Sequence, residues 1–181
     1  MHARDFEFLL ASHTQAWGRS EIEQRTMRLR KAGLLPIGGR GPHAPGITAK
    51  NAATILISLA ASAHAAAGAQ AVDTYASMRA IRPPKFARNA TFGDALEAIL
   101  SDPEKCLGVS EVVICRTWPG AVIRYQDPDG RGQETYYRVP RVSTASGDVR
   151  EEITLTHRIL RELAIELAGL NDPKGAGGVN G

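Results

Sequence analysis

Cysteine is scarce in this chain of 181 residues: only Cys106 and Cys115 are present. They form no CxxC pair, which leaves zinc-finger and thioredoxin-type chemistry without the thiols they need. Two reduced thiols in a cytosolic protein is one reading of the pair and a disulfide is the other, compartment statistics favouring the first. The histidines, His2, His13, His43, His64 and His157, have no partner at metal-ligand spacing. No GxSxG, Walker or HExxH motif is present. Gly38-Gly39-Arg40-Gly41 lacks the GK[ST] and the preceding hydrophobic strand of a phosphate-binding loop. Asp127, Asp129 and Glu134 are accounted for by a polar hairpin turn rather than a calcium loop. The expectation is a protein that is not an enzyme and holds no metal or cofactor.

Long apolar runs are missing as well. The segment from Asn51 to Val72 is largely alanine and is broken by Ser58, Ser62, His64, Gly68 and Gln70, too weakly hydrophobic for a membrane span. The N-terminus has no basic segment leading into an apolar core and cleavage site, so a cytoplasmic, nucleoid-associated protein is expected.

What is abundant is ordinary globular composition, with 43% hydrophobic and 23% charged residues. The net charge of +3 hides an asymmetry: residues 1–90 carry 12 Lys/Arg against 5 Asp/Glu, whereas residues 91–181 carry 10 against 14. A basic half joined to an acidic half suggests that one part meets a polyanion.

The stretch Ser20–Lys50 supports that division. Ser20 followed by Glu23 reads as a capping box, and Gly33 stands where a helix ends in positive φ. Between them Ile22, Thr26, Leu29 and Ala32 form one stripe, and Gln24, Arg25, Arg28 and Lys31 another. A Gly/Pro-rich loop with Arg40 and His43 follows. Thr48 is suited to cap a third, alanine-rich helix over residues 49–68. Asp5–Ala11 reads as a first helix with Phe6, Leu9 and Leu10 inward, and Trp17 as a plug of the core.

Asp73 is suited to cap a short helix over 74–81, which Arg82-Pro83-Pro84-Lys85 stops. Thr91 with Asp94 caps a helix over Phe92–Leu100. Then come strands over Val109–Arg116, Ala121–Gln126, Thr135–Val139 and Val149–Leu155, with a turn at Asp127–Gly130. A last helix opens after Thr156.

The fold class expected is α+β: an N-terminal all-helical winged helix-turn-helix, then a C-terminal helix, antiparallel β-meander and helix. The domains are 1–81 for DNA binding, 82–90 as a basic linker, 91–170 as the α+β unit and 171–181 as a disordered tail. Arg and Gln are the side chains that reach guanine and adenine edges in the major groove. The expected DNA-binding residues are therefore Arg19, Gln24, Arg25, Arg28, Lys31, Arg40 and His43, with Arg82, Lys85 and Arg88 holding phosphate. Arg40 among glycines is suited to a minor groove.

Lys31-Ala32-Gly33-Leu34-Leu35-Pro36 resembles the end of the recognition helix and the start of the wing in MerR-type regulators. The helix opening at Ile47-Thr48 resembles the one that follows the wing there. Arg28 and Leu29 replace the usual aromatic pair, and the wing lacks its Gly-Tyr-Arg element. The N-terminal layout is also similar to small prophage or gene-transfer-agent regulators of proteobacteria. The resemblance implies a sequence-specific double-stranded DNA-binding transcriptional regulator. A small terminase-like or other phage assembly protein is the alternative.

The partners expected are double-stranded DNA, a second copy through the alanine-rich helix (Ala60, Ala61, Ala65, Ala69), and RNA polymerase or another regulator through the acidic half. The second reading of those alanines is that they pack under the chain's own fourth helix.

Overall fold

The computed structural model describes residues 1–14, 16–37, 46–81, 84, 87, 91–127, 129–139 and 151–169. Helix α1, Ala3–His13, buries Phe6 and Leu10, and a short connector carrying the buried Trp17 leads to α2, Arg19–Lys31. Its C-terminus follows the local signal. Gly33 takes φ 75°, and the N–H groups of Leu34 and Gly33 reach back to the carbonyls of Leu29 and Arg30 at 3.0 Å each, the double bond of a Schellman ending. The N-terminus does not. Gly18 is the cap residue, Ser20 lies inside the helix without capping it, and Arg19 instead grips Glu23 one turn on at 2.8 Å.

Helix α3, Ala49–Ala61, starts where expected, with the Thr48 hydroxyl accepting from the Asn51 N–H at 3.2 Å. Every residue from Ile55 to Ala61 is buried, so α3 is the central helix of the molecule rather than an amphipathic surface one. The single helix expected over 49–68 is broken. Ser62 turns extended, Ala65–Ala67 make a 3₁₀ turn, and α4 occupies Gly68–Ala76.

Two arginines from distant segments explain the break. Arg25 donates to Ser58 O (2.5 Å), Ser62 Oγ (2.6 Å) and Ser62 O (2.9 Å). Arg116 donates to Ala60 O (2.8 Å) and Leu59 O (2.9 Å). The last carbonyls of a helix lack intrahelical donors and carry its negative pole, and two guanidinium groups satisfy both needs at once.

The helix expected over 74–81 is likewise displaced. Its last residues leave as β1, Arg79–Ala80, because the edge of β4, Gly132–Arg138, offers them ladder bonds; Ile81 N–H donates to Tyr136 O at 2.9 Å. Helix α5, Phe92–Ser101, opens with the reciprocal Thr91–Asp94 capping box. A short α6, Pro103–Leu107, capped by Asp102 with proline in its first turn, was not anticipated.

Strands β2 (Val109–Cys115), β3 (Gly120–Gln126) and β4 form a meander. The turn into β4 has Gly130 at φ 75° and the Asp127 carboxylate accepting from the N–H groups of Asp129 and Arg131. Strand β5, Glu152–Thr156, does not extend the meander; it returns to pair antiparallel with β2, giving the order β1-β4-β3-β2-β5. Three hairpin-connected strands with a fourth beside the first is a Greek-key arrangement. Helix α7, His157–Leu167, follows at once.

One face of this antiparallel sheet, with Val112, Ile114, Ala121, Ile123, Tyr137 and Leu155, is buried beneath the helices. The fold is α+β. The buried side chains of the two halves form one continuous cluster, from Phe6 through Ile55 and Leu59 to Phe92, Ile114 and Leu163. Residues 82–90 therefore do not separate two cores, and Pro84 and Ala87 within them are buried. Arg82, Lys85 and Arg88 lie outside the described residues, as does the whole tail expected at 171–181. Cys106 and Cys115 are buried free thiols, and burial pushes Cys106 up to about 11. Among the described residues no helix is long and apolar enough to cross a membrane.

Candidate nucleic-acid interface

Helices α1 and α2 form a hairpin in which Glu7 is buried against α2, near Thr26, Arg30 and Glu23. Burial raises the Glu7 carboxyl above its ordinary range, and Arg30 opposes that shift. The contact runs the two helices antiparallel, so the start of α1 lies beside the end of α2. The start of α3 meets the same end, since Ile47 N–H donates to Met1 O at 2.9 Å. Three helix ends thus converge.

The cations of α2 divide sharply. Arg19 is taken by Glu23 and Arg30 faces Glu7. Arg25 requires a correction. It was expected on the exposed face with Gln24 and Arg28, yet its side chain is 0% exposed and holds the end of α3. Burial pulls its guanidinium below arginine's ordinary range, and Glu21 opposes this with a bond to Nη2 at 3.1 Å. Arg25 sits three residues after Ile22 and four before Leu29, on the inward stripe, so its long side chain must find its acceptors inside. It cannot touch a base.

Gln24, Arg28 and Lys31 are exposed on successive turns of one face, and no carboxylate among the described residues engages Arg28 or Lys31. Met27 beside them is 46% exposed. Arg40 and His43, in the loop that follows, lie outside the described residues. Two exposed cations at the same end escaped the sequence reading: Arg4, in the first turn of α1, and Lys50, in the first turn of α3. No periodicity marks them. The contact of Met1 with Gly46 and Ile47, which no local signal announces, brings their segments together.

Of the four alanines expected to meet a second copy, Ala65 and Ala69 are half-buried and the other two are not free. Ala60 and Ala61 are buried in the chain's own core, and Gly68 at the start of α4 lies so close that a Cβ there would stand 2.3 Å from Ser58 Oγ. The chain's own fourth helix packs on the end of α3, as the second reading of those alanines has it, and Ala69 is part of that helix. Among the described residues no three His, Cys, Asp or Glu side chains cluster as a metal site.

Comparison of the chain with protein-family models, with curated proteins and with solved structures finds no match.

Proposed function

We propose that this protein binds double-stranded DNA through the open face of α2, with Gln24 and Arg28 meeting base edges and Lys31, Arg4 and Lys50 meeting phosphate. The observation that carries the reading is the division of cations on α2. Arg19 and Arg25 are paired with carboxylates and Arg30 lies near Glu7, whereas Arg28 and Lys31 stand unmatched among the described residues beside Gln24 on one stripe. A helix of 13 residues is about 20 Å long and the major groove admits one helix. Gln pairs with adenine and Arg with guanine there, while a lysine near phosphate contributes attraction without sequence. The winged helix-turn-helix reading assigns recognition to α2, with the wing beginning in the segment Leu34-Leu35-Pro36. Within it the protein is a transcriptional regulator.

Fluorescence anisotropy with duplexes selected from a random pool tests this. Arg28→Ala should cost about 1–3 kcal/mol and relax preference at one base pair. Lys31→Ala should weaken all duplexes alike and reduce the salt slope by about one unit. A parent protein that binds no duplex at low salt, or equal losses for both variants on every sequence, sinks base reading by α2.

A further inference from the structure

The sheet has two edges, and they are unlike. Strand β1 is two residues long, a common way to blunt an edge. Strand β5 is five residues long, Glu152-Ile-Thr-Leu-Thr156, with no proline, lysine or bulge to protect it. Its register with β2 determines which backbone groups remain open. Arg116 N–H donates to Glu151 O at 2.8 Å, and Ile114 and Val112 stand opposite Ile153 and Leu155. Antiparallel ladders alternate, so Ile153 and Leu155 bond to β2, while Glu152, Thr154 and Thr156 turn their N–H and C=O groups to the open side.

Two further features lie along that edge. A slot of about 180 Å³ separates it from the connector after α1, lined by His13, Trp17, Ile153, Leu155 and Ile159. At its two ends stand exposed charges of opposite sign, Glu152 at the start and Arg158 just past the finish, neither paired among the described residues.

We infer that β5 pairs with β5 of a second copy, antiparallel about a two-fold axis at Thr154. This register is self-complementary. Thr154 meets Thr154 of the other copy and exchanges two backbone bonds, and Glu152 falls opposite Thr156, next to the other copy's Arg158. No like charges face each other. Each inward Ile153 sits over the partner's Leu155, at the mouth of the slot, which gives an apolar side chain a place to enter. Strand addition of this kind takes its affinity from main-chain bonds and its register from alternate side chains. A two-fold interface repeats every contact, so both ends of the edge are matched at once. The inference does not depend on DNA binding. It replaces the alanine-rich helix, where Ala60 and Ala61 are buried in the chain's own core.

Sedimentation velocity on the full chain, at concentrations up to on the order of 100 µM, tests it. The parent should sediment at twice 19.4 kDa. Thr154→Pro removes an N–H that pairs with nothing among the described residues, so it should give a folded monomer by circular dichroism, while Thr154→Val should stay dimeric. Should the proline variant fail to fold, charge exchange carries the test. Glu152→Arg and Arg158→Glu should each weaken the dimer roughly tenfold, and the double variant should restore it, because each new charge meets its opposite across the axis. A monomeric parent overturns the proposal. So does a folded Thr154→Pro dimer, or a double variant no better than the singles.

Discussion

Replacing Arg25 by methionine separates two incompatible roles for this residue. Methionine keeps an unbranched apolar stem in the channel between α2 and α3, so little packing is lost, but it removes the guanidinium from Ser58 O, Ser62 O and Ser62 Oγ. Ser58 O keeps one donor, since the Ser62 hydroxyl also reaches it at 2.9 Å. Ser62 O loses its donor inside the protein and the end of α3 loses a compensating charge. Bonds to a charged donor contribute about 1.5–3 kcal/mol each, and breaking a buried charged network costs about 3–5 kcal/mol. Allowing for the retained Ser58–Ser62 bond, the loss should be about 3 kcal/mol, a large share of the roughly 5–15 kcal/mol by which domains are stable. In a chain of this size that lowers Tm by about 10 °C. Urea unfolding followed by circular dichroism reads the first quantity and calorimetry the second. Below its melting range the variant should bind duplex DNA as the parent does, because the guanidinium never reaches the surface. An unchanged urea midpoint with lost DNA affinity refutes the reasoning, since Arg25 would then point outward.

Two other substitutions probe the same packing. Gly68→Ala drives a methyl group against Ser58 Oγ, 2.3 Å away, and should destabilise by about 1–3 kcal/mol through overpacking; an unaltered urea midpoint would show that α3 and α4 are not in close approach. Tyr75→Phe removes the hydroxyl that donates to Cys115 O at 2.5 Å and should cost about 1 kcal/mol near neutral pH. Burial pushes that hydroxyl from the ordinary 10.0 up to about 12. A raised folded value leaves stability intact below the unfolded value, and the unfolded chain ionises first as pH climbs from 10 to 12, so the parent should lose up to about 2.7 kcal/mol across that window. The phenylalanine variant should show a flatter stability profile across that window, and identical slopes would remove Tyr75 from the account.

How much of this could be read in advance depends on where each decision is made. Thr48, the Thr91–Asp94 box, Gly33 and the Asp127–Gly130 turn act on neighbours a few residues away, and all appear where their residues put them. The break after Ala61 depends on donors 33 to 57 positions away in the chain, and alanine-rich sequence carries no sign of them. The same holds for β1, which exists because β4 has an edge to offer, and for β5, whose partner is β2 rather than its predecessor. The exposed part of the candidate site, Gln24, Arg28 and Lys31, follows from helical period. Arg25 follows from it too. Its position between Ile22 and Leu29 marks the inward stripe, but its charge suggested water, and position decided the matter because four oxygens inside were waiting for five N–H groups.

That outcome bears on what net charge can say about function. The basic balance of residues 1–90 treats every arginine as equal, yet on α2 they are not. Arg25 is spent on a helix end, Arg19 is paired with Glu23, and Arg30 lies near Glu7. A polyanion gains only from cations that are solvated and unpaired before it arrives, because a matched cation must first give up its carboxylate. The interface proposed on α2 reduces to Arg28 and Lys31, flanked by Gln24, with Arg4 and Lys50 at the converging helix ends. Strong DNA binding from so few contacts is difficult for one copy, since each phosphate contact contributes only modestly and the sum falls with salt. Two copies joined through β5 double the contacts without changing any residue. A measured salt slope near twice that expected from one copy's cations, lost in the Thr154→Pro monomer, would join the two proposals; a slope unchanged between dimer and monomer would leave them independent.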